Sequence, residues 1–317
     1  MPRRHLDQPS PLAPPLLGLA RVKTPLLGPT IIPGSHKCSY GMPKRMSHQG
    51  ATSPETDADT AGHYLYGQGH MSIDVAAVDG GVTLLTINRP DKANALDAAM
   101  HLKLTTVWQE LQDDETVRAV VITGSGTTFC GGGDREAWDQ LRNDRAYRRR
   151  RMAEARNLLL NMLRCELPLV AAINGPAIGV GCTIALATDV LVMSPTSYLA
   201  DPHVSSGIVA GDGGALLLPL LVGLPLARQV LYMGRRIDAD TAQRVDLASD
   251  IVPAEALLPR ALEIAAKLAA QPPEALRDTK RAVNLHILQQ GLVHLEFGSM
   301  AESGSFDTDA FGRRSNT

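Results

Sequence analysis

Two glycine-rich turns constrain the fold of this chain more than any other feature. The first is Phe129-Cys-Gly-Gly-Gly-Asp134 and the second is Asn174-Gly-Pro-Ala-Ile-Gly-Val-Gly-Cys182. Each follows an apolar run of strand character, and each precedes helix-like sequence. A turn of this kind leaves backbone N–H groups accessible, so two turns can direct one N–H each at a single substrate oxygen. The pattern predicts an α/β fold that carries an oxyanion hole.

Composition narrows the class of protein. The 317 residues are rich in Ala, Leu, Val and Gly, and the net charge of -2 predicts neither nucleic acid nor an anionic membrane as a partner. No apolar stretch reaches the ~20 residues of a spanning helix, since the nearest, Ala210–Leu224, carries Asp212 and Pro219. The four cysteines lack metal-ligand spacing and fit a reducing compartment. We expect a cytoplasmic protein without a metal.

Residues 1–70 differ from the rest of the chain. The stretch up to Arg45 is rich in proline and basic residues, and Ser47–Gly69 is polar with little periodicity. Such a segment cannot bury enough apolar surface to become ordered. It shares a shortage of acids with transit peptides, but its prolines oppose an amphipathic helix. The sequence therefore predicts a disordered extension, with Met71 opening the folded protein.

Strand and helix patterns alternate from Ile73 onwards and end in an all-helical third. A hairpin is predicted at Asp79–Gly81, a helix over Asn94–Gln112, and one long charged helical stretch over Arg135–Leu163. The later helices are expected at Gly213–Leu221, Leu226–Met233, Asp240–Val245, Ala254–Ala270 and Pro273–Gln290. The two strand–turn–helix passages lie about fifty residues apart, which indicates repeated ββα units.

Four motifs in order resemble those of the crotonase (enoyl-CoA hydratase/isomerase) superfamily. Asn88-Arg-Pro-Asp-Lys-Ala-Asn-Ala-Leu96 is similar to N-R-P-x-x-x-N-A-L, and the two glycine turns are similar to F-x-A-G-A-D and N-G-x-A-x-G-G-G-C. Met233-Gly-Arg-Arg-Ile-Asp-Ala239 resembles T-G-x-x-x-x-A. The resemblance implies a spiral of repeated ββα units over residues 71–255 and a helical trimerisation region over residues 256–317. It also implies homotrimers or homohexamers acting on acyl-CoA thioesters.

The same resemblance assigns roles to residues of the two turns. It implies oxyanion donors at the N–H groups of Gly131 and Val180, where a valine is acceptable because the donor belongs to the backbone. CoA is expected as part of the substrate, with no separate cofactor. The residues expected to contact it are Lys92, Ala93, Ala95, Cys130 and Gly133.

The chain departs from the family where a hydratase carries two catalytic glutamates. Those positions hold Thr183, whose hydroxyl can orient water, and His203. His203 and Asp212 are nine residues apart, and a carboxylate on one imidazole nitrogen would leave the other nitrogen as a base. This arrangement resembles the 6-oxocamphor hydrolase branch, which cleaves cyclic β-diketones by a retro-Claisen reaction. Glu302 lies where that branch has an additional acid.

Three functions stay open on the sequence. The first is an enzyme that stabilises an acyl-CoA enolate with a His–Asp base, and the second is a C–C hydrolase of cyclic β-diketones. The third is a non-catalytic or RNA-binding protein that uses Arg148–Arg151, although such a cluster is more often a solvated helix face. Further expectations concern single residues: an exposed His101, a helix cap at Asp134, Trp138 in the pocket wall or the core, and a CoA phosphate contact from Arg313 or Arg314.

Overall fold

The computed structural model of the chain describes residues 72–311. The predicted extension over residues 1–70, the expected first residue Met71, and Arg313 and Arg314 lie outside the described residues. The described strands are β1 (Ile73–Val78), β2 (Val82–Ile87), β3 (Ala119–Gly124), β4 (Leu169–Ile173), β5 (Ala177–Ile178), β6 (Val190–Met193), β7 (Tyr198–Ala200), β8 (Ile237–Asp238) and β9 (Asp250–Ile251). The described α-helices are α1 (Ala98–Asp113), α2 (Trp138–Asn143), α3 (Arg145–Arg164), α4 (Val180–Leu186), α5 (Gly214–Met233), α6 (Ala239–Arg244), α7 (Ala254–Ala269) and α8 (Pro273–Ser305).

The main sheet has six strands in the order β1-β2-β3-β4-β6-β9. The predicted hairpin joins β1 and β2, the antiparallel pair of this sheet, through Gly80 and Gly81 with φ of 75° and 77°. The remaining pairs are parallel. All six residues of β3 are buried, as expected for a parallel strand covered on both faces. One face packs against a large core that includes residues of α1 and α3, and the other against an alanine-rich stripe of α7.

A second, smaller layer of strands explains the repeated unit. β5, β7 and β8 form a three-stranded sheet, and β-bridges join Leu96 to Gly133 and Cys130 to Ala177. Each strand from β2 to β6 in the main sheet is therefore followed by an extended segment of this second layer and then by a helix. The prediction of stacked ββα units in a mixed α/β fold with a C-terminal helical region is confirmed.

Two predicted helices differ in the structure for identifiable reasons. The stretch predicted as one helix from Arg135 is divided into α2 and α3, because the Asp144 carboxylate accepts hydrogen bonds from the N–H groups of Ala146 and Tyr147 and starts a new helix. α8 continues fifteen residues beyond the predicted end at Gln290. Its Gly298 lies so close to Gly211 that an added Cβ would be 2.9 Å from the Gly211 carbonyl oxygen. This contact fixes the last turns of α8 beside the loop before α5.

α5 is long and apolar enough to cross a membrane by length and composition, alone among helices in the described range. The expectation that no apolar stretch reaches this length is therefore wrong on those two criteria. The helix is interrupted at Gly223, where φ is 74° and ψ is 156°, between the two segments that the sequence predicts as separate helices. Its first half places Leu216, Leu217 and Leu218 in the core.

The arginine-rich segment of α3 is not a uniformly solvated face. The side chain of Arg148 is 4% exposed, and its Nη2 donates to both carboxylate oxygens of Asp307 at 2.9 Å. Arg149 and Arg150 are exposed. Because one member of the cluster is buried in an ion pair with the C-terminal segment, the cluster does not present four adjacent charges to a nucleic acid. The geometry removes the main support for the RNA-binding alternative.

Candidate active site

Both glycine turns open on one cavity of about 180 Å³. Its walls come from the start of α1, the segment before α2, the middle of α3, the start of α4, the loop before α5 and the end of α8. The lining includes His101, Gly131, Gly133, Trp138, Arg151, Val180, His203, Asp212, Glu302 and Phe306. Trp138 thus contributes to the pocket wall, where its ring contacts that of Phe311 at 5.2 Å between centroids.

The first turn offers its free N–H at Gly133, two residues beyond the predicted donor. The N–H of Gly131 donates to the carbonyl oxygen of Ala93 at 2.9 Å, so it is not available to a substrate. Gly133 is exposed, lines the cavity, and its N–H has no partner among residues 72–311. The expectation for Gly131 is therefore corrected: the hydrogen bond from Gly131 shapes the turn, and Gly133 presents the accessible donor.

The second turn presents the N–H of Val180 as predicted. Val180 is the first residue of α4, and its N–H, like that of other first-turn residues, has no partner within the helix. Gly179 precedes it with φ of 55° and ψ of −121°, a conformation that favours glycine. A Cβ on Gly181 would lie 2.5 Å from the Cys130 carbonyl oxygen. The glycine at Gly181 thus allows the close approach that holds the two turns together.

A histidine lies between carboxylates on another wall of the cavity. Nδ1 of His203 is 2.6 Å from Oδ1 of Asp201, and Nε2 is 3.7 Å from Oδ2 of Asp212. The sequence predicts the orienting role for Asp212, but the carboxylate that accepts the direct hydrogen bond from His203 is that of Asp201, a residue the motifs did not indicate. A single residue, Pro202, separates Asp201 from His203, and this Asp-x-His spacing is the sequence signal for the pair. Asp212 faces the other nitrogen, beyond hydrogen-bond distance.

The charges around His203 change which groups hold protons. Burial alone would lower the pKa of His203, but the charges of Asp212 and Asp201 outweigh it and raise that pKa well above the usual value. Burial raises the pKa of Glu302 to about 8, with a further contribution from the Asp212 charge. Burial also raises the pKa of Asp212, whereas the charge of His203 and its hydrogen bond keep the pKa of Asp201 low. These shifts favour protonated His203 and Glu302, whereas the sequence predicts His203 as a free base.

Thr183 lies beside this cluster, where a hydratase of the family would carry a glutamate. Its hydroxyl is 3.4 Å from Oδ1 of Asp212 and its side chain is buried. The ligand atoms of Asp201, His203 and Asp212 lie within 4.8 Å of one another, a spacing that metal sites also show. However, the 2.6 Å separation between Asp201 and His203 is a direct hydrogen bond and leaves no room for an ion between them.

The residues predicted to contact CoA fall into two groups. Lys92, Ala93 and Ala95 lie in the turn before α1, outside the cavity lining, and Lys92 forms a 2.6 Å ion pair with Glu136. Cys130 is fully buried, and burial raises the pKa of its thiol to about 12. The expectation that Cys130 contacts CoA directly is therefore contradicted, because its side chain packs beneath Gly181.

Two other predictions can be compared with the structure. The carboxylate of Asp134 accepts the N–H of Glu136 at 3.0 Å, which confirms the predicted cap, and it also receives Arg89 at 2.7 Å. His101 was predicted to be exposed and is 8% exposed, because α1 turns it towards α3. Burial and the nearby charge of Arg151 lower the pKa of His101 to about 3.

The repeated strand–strand–helix units and the cavity between two glycine turns define the crotonase class of enzymes. A family model described as Enoyl-CoA hydratase/isomerase matches residues 77–312. The chain therefore belongs to the enoyl-CoA hydratase/isomerase family.

Known relatives and solved structures agree with this assignment. The short-chain-enoyl-CoA hydratase of Clostridium acetobutylicum is 33% identical over 233 residues, which cover 73% of this chain and 88% of that protein. An enoyl-CoA hydratase/isomerase structure from Mycobacterium paratuberculosis is 40% identical, with a TM-score of 0.73, covering 76% of this chain and 95% of that one. An enoyl-CoA hydratase from Bacillus anthracis is 29% identical, with a TM-score of 0.65, covering 73% and 90%.

Proposed function

We propose that the cavity binds the acyl group of an acyl-CoA thioester and stabilises its enolate. The observation that carries this proposal is a pair of N–H groups, on Gly133 and Val180, that have no partner in the described range 72–311 and lie in the wall of the cavity that also contains His203. Two backbone donors directed at the thioester oxygen stabilise negative charge as it develops there. The names of the relatives support CoA as the carrier, since the Clostridium acetobutylicum protein is a short-chain-enoyl-CoA hydratase.

The His203 cluster then moves a proton at the carbon next to the thioester carbonyl. When that C–H bond breaks, its electron pair forms the enolate and the proton passes to the cluster; the reverse step returns it to carbon. Nε2 of His203 and the Asp212 carboxylate are 3.7 Å apart, so both can contact the same substrate atom or water. Asp201 holds the ring from the other side. The imidazolium and the Asp212 carboxylate thus supply one donor and one acceptor.

A two-glutamate hydration mechanism has no support in this site. Thr183 replaces one of the acids, and a threonine hydroxyl cannot act as a base at neutral pH. The second candidate function is a retro-Claisen hydrolase of cyclic β-diketones. It is favoured by the placement of Glu302, which lines the cavity together with His203 and Asp212 and whose side chain is buried. In that reaction the cluster takes a proton from water, whose oxygen adds to one carbonyl carbon. The C–C bond then breaks, its electron pair forms an enolate held by the same two N–H groups, and the cluster returns the proton to the enolate carbon.

Separate observations support a contact for the CoA part of the substrate and an oligomer interface. The turn with Lys92, Ala93 and Ala95 directly precedes Leu96 and Asp97, which line the cavity, and would contact the nucleotide end of CoA. On α8, Val293, Phe297 and Met300 follow one another at spacings of four and three residues and are 65–73% exposed. An exposed apolar helical stripe of this kind requires a partner. We infer that α8 carries the interface of a homotrimer or homohexamer.

Hydrogen–deuterium exchange separates the two candidate functions. Saturated butyryl-CoA in D₂O should exchange its α-protons when the protein is added, as measured by mass spectrometry, and His203→Gln should abolish the exchange. Glu255→Gln, an exposed substitution on α7, is the matched control and should exchange normally. An absence of CoA-ester binding and exchange, together with hydrolysis of a cyclic 1,3-diketone, would establish the second candidate instead.

A further inference from the structure

The wall that α1 and α3 contribute to the cavity contains a buried histidine with an unused nitrogen. His101 lines the cavity, and its Nδ1 is buried with no hydrogen-bond partner among residues 72–311. A buried polar atom without a partner costs free energy, so native proteins satisfy nearly all of them with protein, water or ligand. The proton-transfer cluster does not use this residue. The unsatisfied nitrogen therefore indicates a missing polar partner.

A guanidinium lies beside this histidine. Arg151, whose side chain is 13% exposed, also lines the cavity. Its Nη1 is 3.4 Å from the Ala98 carbonyl oxygen and ion-paired with Glu154, whereas its Nε and Nη2 have no partner within the described part of the chain. Donors thus remain available on a cation that is largely removed from solvent.

The acids near this wall already have partners. The carboxylate of Asp97 accepts the N–H of Met100 at 2.9 Å as the cap of α1, and Asp134 is paired with Arg89. A second cation, Arg135, lines the same cavity with its guanidinium 5.3 Å from the ring centre of Trp138. Glu154 offsets the charge of Arg151, but Arg135 forms no ion pair among residues 72–311 and the N-terminus of α1 adds positive potential, so this wall favours an anion.

The cavity also has an apolar lining. It includes Leu141, Met152, Ile178, Ile208 and Phe306, most of which pack in one cluster. A ligand that satisfies this lining, the His101 wall and the His203 cluster needs a reacting carbonyl, an apolar part and a second polar group.

We propose that His101 and Arg151 form a subsite for a carboxylate at the far end of the acyl group, so that the substrate is the CoA thioester of a dicarboxylic acid. A carboxylate would accept hydrogen bonds from the guanidinium and from the imidazole nitrogen, and charge-assisted bonds of this kind are the strongest that side chains make. An acyl chain that ends in a methyl group would leave the same donors unpaired in a dry pocket, and binding would be weaker for that reason.

This inference rests on the proposed acyl-CoA function, and calorimetry can test the two separately. Succinyl-, glutaryl- and adipoyl-CoA are each compared with the monocarboxylic acyl-CoA of the same carbon number. At least one dicarboxylic thioester should bind about tenfold more tightly or better than its matched partner. Arg151→Met and His101→Phe should each remove that preference, because the dicarboxylic thioester loses its donors while the monocarboxylic thioester binds at least as tightly as before. Arg149→Met, an exposed neighbour on α3, is the control and should keep the preference.

The outcomes distinguish the two proposals. If both series bind with equal dissociation constants, the carboxylate subsite is wrong and the acyl-CoA function stands. If no CoA thioester binds at all, the proposed function fails as well. The subsite is also wrong if Arg151→Met and His101→Phe both fold, as judged by their melting temperatures, and both still prefer the dicarboxylic thioester. In that case His101 and Arg151 do not bind the carboxylate. If Arg151→Met does not fold, Arg151→Lys is tested in its place. It should keep part of the preference for the dicarboxylic thioester because the positive charge remains.

Discussion

Asp201 and His203 are joined by a 2.6 Å hydrogen bond between Oδ1 and Nδ1, and this bond determines which nitrogen of the imidazole faces the substrate cavity. Asp201 directly follows the last residue of β7, so a strand of the second layer fixes the orientation of a loop residue. A rigid element that holds the ring from behind leaves Nε2 and Asp212 facing each other across 3.7 Å. The proposed proton transfer depends on this arrangement.

Replacing Asp201 should therefore impair the reaction through His203. We expect Asp201→Asn to slow α-proton exchange roughly 10- to 100-fold, the usual cost of losing a group that orients a functional histidine. It should also lower the pKa of His203, because one of the two charges that raise it is lost. An NMR titration of the imidazole measures that shift. Asp240→Asn, an exposed change on α6, should alter neither quantity, and an unchanged His203 pKa in Asp201→Asn would contradict the assignment.

Gly133 and Gly131 can be distinguished by removing single N–H groups. A Cβ at Gly133 would meet no atom within 4 Å, so Gly133→Ala should fold and keep its activity. Gly133→Pro deletes the N–H and should reduce the exchange rate roughly 10²- to 10³-fold, as loss of one oxyanion donor does. The measurement is the α-proton exchange rate of both variants, once melting curves show that both are equally folded. If Gly133→Pro exchanges as fast as Gly133→Ala, Gly133 is not the donor.

The protonated state of Glu302 predicts how stability depends on pH. Its pKa rises from an ordinary 4.5 to about 8 in the folded protein. Between pH 4.5 and about pH 8 the folded protein therefore holds a proton on Glu302 that the unfolded chain has released. The stabilising effect is present below about pH 4.5 and is lost as the pH rises through about 8. Glu302→Gln mimics the protonated form and should melt at a temperature that exceeds that of the unmodified protein by roughly a few degrees at pH 9. At pH 5 the two should melt nearly together; a difference that shrinks with rising pH would refute this.

Much of the fold and part of the site could be predicted from the sequence, and the failures have physical causes. Strand runs and glycine turns report local backbone preferences, so the ββα units and the accessible N–H of Val180 could be predicted. The donor in the first turn was misassigned because the hydrogen bond from Gly131 to Ala93 joins residues 38 positions apart, and spacing within a motif cannot show it. The burial of His101 and of Arg148 depends on packing between helices distant in the chain. Helical periodicity alone therefore placed both of them on solvated faces.

The apolar stripe on α8 predicts the assembly state. Phe297→Glu places a charge in the middle of Val293, Phe297 and Met300, and a charge at the centre of a buried interface is strongly unfavourable. We expect the unmodified protein to elute as a trimer or hexamer in size-exclusion chromatography with light scattering, and Phe297→Glu to elute as a monomer. Glu296→Gln, at an exposed neighbouring position, should keep the oligomer. If the unmodified protein elutes as a monomer, the inference that α8 forms an interface is wrong.

The buried ion pair between Arg148 and Asp307 predicts how the C-terminal segment is held over the cavity. The Arg148 side chain is 4% exposed and that of Asp307 is 50% exposed, so Asp307→Ala leaves a buried guanidinium without its carboxylate. We expect a loss of about 3 kcal/mol in the free energy of unfolding, measured with urea, because an unpaired buried charge keeps its desolvation cost. Asp309→Ala removes an exposed acid from the same segment and should change stability by less than about 0.5 kcal/mol. Since Phe306 and Phe311 flank this pair and pack near Trp138, Asp307→Ala should also weaken acyl-CoA binding. Equal stability of the two variants would show that the pair does not anchor the segment.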